Sequence, residues 1–142
     1  MKKYILFLFL LGITFIGFGQ NSSETKPIFK FEKELINYGK VKQNSDGHRV
    51  FEFTNVGKIP LIIKEIITSC DCAVPKKPEA PIMPGEKGKI TVSYDTSKLG
   101  GFSKQITIFS NAKSARKLLK IKGYVENVKT SPEKEKSMLS NS

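Results

Sequence analysis

The chain has 142 residues, a formal net charge of +11 and 39% hydrophobic residues, which suits one domain with one core and is short for two. Of its 24 basic residues only Arg49 and Arg116 are arginine, and bidentate recognition of phosphates and guanine edges prefers arginine. The lysines alternate with Glu and Asp rather than forming a stripe, so a solvated lysine surface is expected and nucleic-acid binding is not.

Residues 1–19 read as a signal peptide. Lys2 and Lys3 precede an apolar stretch from Tyr4 to Phe18, and Gly17-Phe18-Gly19 supplies a small-x-small cleavage site, placing the mature start at Gln20. The stretch is about fifteen residues, short of the roughly twenty that a spanning helix needs. No other segment is apolar enough to cross a membrane, so no integral membrane segment is expected after cleavage. The expected location is periplasmic or secreted. Residues 20–27 form a polar lead-in.

From residue 28 the pattern becomes short runs of period two between turn residues. Phe29 and Phe31 alternate with lysines, and Ile36, Tyr38 and Val41 follow after a break. Gln43-Asn44-Ser45-Asp46-Gly47 is a loop ending in an Asp-Gly turn signal. Next, Phe51 and Phe53 share one face, with Val50 and Glu52 on the other. Asn55-Val56-Gly57-Lys58 turns the chain into a β-branched run, Leu61 to Ile67. Pro75, Pro78, Pro81 and Pro84 then exclude a helix or a central strand and predict an extended crossover or loop. Ile90, Val92 and Tyr94 share a face. Asp95 to Gly101 reads as a hairpin connection, after which Phe102, Lys104, Ile106 and Ile108 align. Ser110-Asn111-Ala112 turns into the last strand, with Leu119, Ile121, Gly123 and Val125 together. Residues 126–142 form a polar tail of disordered composition.

About seven strands and no amphipathic helix predict an all-β fold over residues 28–125, an immunoglobulin-like β-sandwich, with a small barrel as the alternative. Phe51, Phe53, Leu61, Ile90, Val92, Ile106, Ile108, Leu119 and Ile121 are expected to face one core.

These stretches resemble a family of uncharacterised secreted bacterial domains, the DUF1573-like family, common in Bacteroidetes. The resemblance is carried by Phe51-Glu52-Phe53-Thr54-Asn55-Val56-Gly57, Pro60-Leu61-Ile62-Ile63 and Ser69-Cys70-Asp71-Cys72. It continues with Ile82-Met83-Pro84-Gly85-Glu86-Lys87-Gly88-Lys89-Ile90, Ser110-Asn111-Ala112 and Ile121-Lys122-Gly123. It implies an immunoglobulin-type sandwich akin to domains of cilium- and centrosome-associated proteins, and it implies no activity. Where the family more often has Ser-Cys-Gly-Cys, this chain has Asp71.

Cys70 and Cys72 are the one unusual chemical feature. In an extended strand they would share a face about 6.6 Å apart at roughly 3.3 Å per residue, so a disulfide needs a local turn. Three readings stand: a disulfide, two small loop thiols, or a soft-metal site taking copper(I) through thiolates. Structural zinc wants four ligands, and His48 is the single histidine. His48 at a strand entrance, with no evident partner, reads as a solvated residue, and Asp71 and Glu79 could form a small acidic patch. No phosphate loop, dinucleotide fingerprint, nucleophile elbow or metalloprotease pair occurs.

The expected function is therefore a non-enzymatic binding or assembly module of the cell envelope, needing no cofactor, with an unknown envelope or surface protein as partner. The alternative is a copper-binding or thiol-active periplasmic protein centred on Cys70 and Cys72.

Overall fold

The computed structural model describes residues 25–128. The expected leader, its cleavage point and nearly all of the expected tail lie outside the described residues. Eight strands follow one another: β1 (Phe29–Phe31), β2 (Leu35–Lys42), β3 (His48–Asn55), β4 (Ile63–Thr68), β5 (Ala73–Lys76), β6 (Lys87–Tyr94), β7 (Gly100–Ser110) and β8 (Arg116–Glu126). They form two four-stranded sheets, ordered β1-β3-β6-β5 and β2-β8-β7-β4. The sheets stay separate, so the fold is a sandwich rather than the alternative barrel.

Alternation puts the two inner faces together, as period two requires of a sheet with one buried side. All nine residues expected in the core are at most 1% exposed. Each large aliphatic or aromatic side chain so buried is worth about 1.5–3 kcal/mol, which is why inward and outward positions cannot be exchanged by a register slip.

Three features differ from the sequence expectation. The stretch Phe29 to Lys42 is one extended segment that changes sheets at Glu32-Lys33-Glu34. β1 pairs antiparallel with β3, and β2 pairs parallel with β8. Second, the two loops read as local reversals are crossings between sheets. Residues 43–47 lead from β2 in one sheet to β3 in the other, and Asp95 to Leu99 lead from β6 to β7, with Gly100 and Gly101 already inside β7. Turn residues specify a reversal of direction and carry no information on which strand receives it. In the first loop the left-handed residue is Asn44 (φ 59°), and Ser45 N–H donates to Lys42 O at 3.1 Å.

Third, the proline-rich stretch contains an eighth strand. Pro75 sits in β5, the outer strand of its sheet, opposite Val92. Tyr94 N–H donates to Gly47 on the β3 side, so by alternation Ser93 and Thr91 face β5 and pair with Val74 and Lys76. Ala73 and Pro75 then turn their backbone outward. The missing proline N–H falls where no ladder bond is formed, which is the condition for proline in an edge strand. The run expected from Leu61 becomes regular only at Ile63, with Leu61 held in a single bridge to Ile82.

Asn55, read from sequence as a turn residue, is fully buried. Its Nδ2 donates to the carbonyls of Ile59 (2.8 Å) and Ile82 (2.9 Å), and its Oδ1 accepts from Gly57 N–H (3.0 Å) and Ile28 N–H (3.4 Å). One amide thereby ties the end of β3 to the lead-in and to the loop before β6.

Candidate binding surface

Cys70 and Cys72 lie in the turn joining β4 to β5. Ala73 N–H donates to Cys70 O at 3.4 Å, and this bend brings the two Cα atoms to 5.3 Å, with the sulfurs joined as a disulfide. The local turn that a bridge requires is present. Cys72 is buried at the core margin, its carbonyl accepting Asp95 N–H at 2.8 Å. In this oxidised state the pair offers no thiolate to a soft metal. Asp71 and Glu79 are both exposed, and neither joins any group of three His, Cys, Asp or Glu side chains among the described residues.

His48 has a partner that the sequence did not reveal. Its Nδ1 lies 2.8 Å from Asp46 Oδ1, and its N–H donates to the same oxygen at 2.9 Å. The backbone bond from His48, then its ring, hold the Asp46 carboxyl below its usual range. Both side chains are exposed, so the pair organises the loop rather than forming a buried proton relay.

Next to this loop the core ends in three aromatic rings. Tyr94 stacks on Phe102 at 3.7 Å between centroids, Tyr38 meets both edge-on, and the Arg49 guanidinium lies 4.3 Å over the Tyr38 ring. Tyr38 donates its hydroxyl to Gly47 O at 2.8 Å. Burial holds the phenols of Tyr38 and Tyr94 above their ordinary value of 10.0, with Arg49 opposing the shift at Tyr38.

The outward face of β2-β8-β7-β4 carries several exposed apolar side chains. Register sets Leu118 opposite Thr107, and Thr107 opposite Ile67, so one row across three strands has an apolar side chain at each end and the threonine between them. Leu118 is 42% and Ile67 48% exposed. Phe109 lies in the neighbouring row, and Leu35, also exposed, pairs with Lys120. The same alternation turns Arg116, Lys120, Lys122 and Tyr124 outward on β8, and Lys40 and Lys42 on β2. Glu65 and Glu126 are the acids of this face. Where β2 shifts register between Asn37 and Lys40, Gly39 adopts φ +64°, and a shallow open depression forms between Lys40, Ser103, Lys122 and Tyr124. Period two relates residues along one strand only. It could not show that Ile67, Thr107 and Leu118 are neighbours, because that follows from strand order.

Two packed four-stranded sheets, antiparallel except where β2 joins β8, with the first extended segment passing from one sheet to the other, define an immunoglobulin-like β-sandwich domain. Within that class the chain belongs to the family described as "Protein of unknown function (DUF1573)", whose model matches residues 29–125. No curated protein matches it. A protein of unknown function from Porphyromonas gingivalis W83 is similar, with a TM-score of 0.64 at 16% identity over 76% of this chain and 51% of that one. The chain thus spans about half the length of that neighbour. The ASH/PapD-like domain 7 of human CEP192 is similar with a TM-score of 0.57 at 7% identity, over 72% of this chain and 87% of that domain. A chain of the CsuC–CsuE chaperone–tip adhesion subunit pre-assembly complex of Acinetobacter baumannii matches with a TM-score of 0.51 at 16% identity, covering 70% and 57%. At these identities the likeness is one of fold. Among the described residues no helix is long and apolar enough to cross a membrane.

Proposed function

We propose that the chain is exported and acts in the periplasm or outside the cell as a non-enzymatic binding or assembly module, contacting an envelope or surface protein through the outward face of β2-β8-β7-β4. The observation that carries this reading is the pair of exposed apolar side chains, Leu118 and Ile67, aligned on either side of half-buried Thr107 with cations around them. Apolar side chains aligned across strands are a recurrent feature of protein contact sites, whereas isolated ones are ordinary surface. An assembly role is also in keeping with the fold, which a chain of the Csu pre-assembly complex shares. Export rests on the three-part leader read from residues 1–19.

The test is site-specific photo-crosslinking in cells that make the protein, with the reactive side chain at Thr107 or, on the opposite sheet, at Thr91. Envelope proteins captured from position 107 and not from 91 are expected, from material that fractionates with the envelope and begins at Gln20. Protein retained in the cytoplasm, or equal capture from both faces, would overturn the proposal.

A further inference from the structure

We propose that β4 is an open docking edge that takes up an extended, acidic and apolar segment of a partner protein as an additional strand. This rests on the binding-module reading above and specifies how the partner attaches.

The sandwich has four outer strands, and an unpaired strand edge is a template for another chain unless it is blunted. β1 has three residues, and the lead-in beside it is held by Lys113 N–H donating to Pro27 O. β2 is bent by its register shift at Gly39 and bordered by Lys40 and Lys42. β5 has four residues and presents Pro75 outward. β4 has six residues and no proline.

The hydrogen bonds show which groups of β4 are open. Ser69 N–H donates to Gln105 O, and Gln105 N–H donates to Ser69 Oγ, so residue 69 faces β7. In an antiparallel pair the bonded positions alternate. Ile67 and Glu65 therefore also face β7, opposite Thr107 and Phe109, while Ile66 and Thr68 turn their backbone N–H and C=O groups outward. Among the described residues no other strand pairs with this side of β4. At the start of the strand Lys77 Nζ donates to the carbonyls of Lys64 (2.8 Å) and Ile63 (3.1 Å), closing that end and placing a cation there.

A strand added beside Ile66 to Thr68 would extend that row outward from Ile67, and its alternate side chains would meet Ile67 on that face. Its flanking residues would lie near Lys64 and Lys77. The occupant that fits has apolar residues at period two and carboxylates at one end. A second copy of this chain, also strongly basic at +9 once Lys2 and Lys3 leave with the leader, fits poorly.

The experiment uses the purified protein and a synthetic peptide of about six residues alternating Val with Glu, long enough for one ordinary strand. A matched peptide carries Lys for Glu. Amide exchange at Ile66 and Thr68 should slow with the acidic peptide, and the lysine peptide should bind about tenfold more weakly or worse. Ile66→Pro, which removes an outward N–H, and Ile67→Asp, which changes only an exposed side chain, should each weaken binding about tenfold. The second variant keeps the test decisive if the first fails to fold. Protection at another strand, unchanged affinity in both variants, or self-association through β4 would overturn the docking edge. Crosslinking from Thr107 that persisted beside such a result would leave the binding-module reading standing.

Discussion

Phe53 lies over Gly88, its partner across the β3–β6 pair, and a Cβ at residue 88 would come 2.3 Å from the Phe53 Cζ atom. Both positions are buried, so the ring has no empty space to swing into. Gly88→Ala should cost about 1–3 kcal/mol, the usual penalty of overpacking. Pairing it with Phe53→Leu should cost less than the sum of the two single changes, because the smaller side chain vacates the space that the new methyl needs. Denaturant unfolding of the four proteins checks this, and simple additivity would show that the clash is relieved elsewhere.

Phe53 itself is 1% exposed and also meets the half-buried rings of Phe29 and Phe31, at 5.1 and 5.3 Å between centroids. Phe53→Ala should therefore cost about 3–5 kcal/mol, a large part of a small domain's stability. The same measurement reads it, and a melting temperature close to the parent's would be incompatible with this packing.

Asn55→Asp should be nearly as severe, by a different route. Replacing Nδ2 by an oxygen leaves the Ile59 and Ile82 carbonyls without their donor and sets a carboxylate against them in the interior. The expected loss is about 3–5 kcal/mol near neutral pH, the cost of an uncompensated buried charge. It should shrink on acidification, since a protonated carboxyl can donate one of the two lost bonds.

The nine core positions were legible in the sequence because alternation of period two reports burial directly, strand by strand. The family motif around Asn55 was legible as letters, while its role was not, since four bonding partners spread from Ile28 to Ile82 are brought together by the fold. Pro75 was correctly kept out of a central strand, but local sequence does not say which side of an edge strand its nitrogen faces. The Asp95 to Gly101 segment misled for a related reason, since a sheet crossing and a hairpin use the same turn residues. The candidate surface was the least legible part. Ile67 and Leu118 are 51 positions apart, and only the order β8-β7-β4 makes them two ends of one row.

Tyr38 and Tyr94 set a pH dependence at the alkaline end. A folded phenol held above 10.0 keeps its proton after the unfolded chain has begun to lose it. The contribution is complete below the unfolded value and is lost as pH rises through the raised folded value. Tyr38→Phe keeps the ring cluster and removes one of the two groups. Its stability should fall by about 1 kcal/mol at neutral pH, for the lost bond to Gly47 O. Its further loss above about pH 10 should be shallower than the parent's. Urea titrations at a series of pH values compare the slopes, and parallel curves would mean that the Tyr38 phenol is not displaced.

The Cys70–Cys72 bridge closes a loop with a sequence separation of only 2, so it constrains the unfolded chain weakly. Loop entropy assigns it about 1.6 kcal/mol, against about 3 for a fifteen-residue loop. Cys70→Ser combined with Cys72→Ala, which avoids burying a hydroxyl at the core margin, should lower the melting temperature by roughly 6–13 °C. Reducing the parent should produce a similar shift, because each treatment removes the same covalent constraint. The turn has other support: Ala73 N–H reaches Cys70 O, Thr68 Oγ1 donates to Cys70 O at 2.9 Å, and Asp95 N–H reaches Cys72 O. These bonds predict that β5 stays paired with β6 after the bridge is cut, and that crosslinking from Thr107 is unchanged. Hydrogen exchange at Val74 and Lys76, whose N–H groups face β6, reads the first point directly. Loss of protection there would show that the bridge holds the edge strand in place. Loss of crosslinking with β5 intact would instead assign the pair a part in the contact itself.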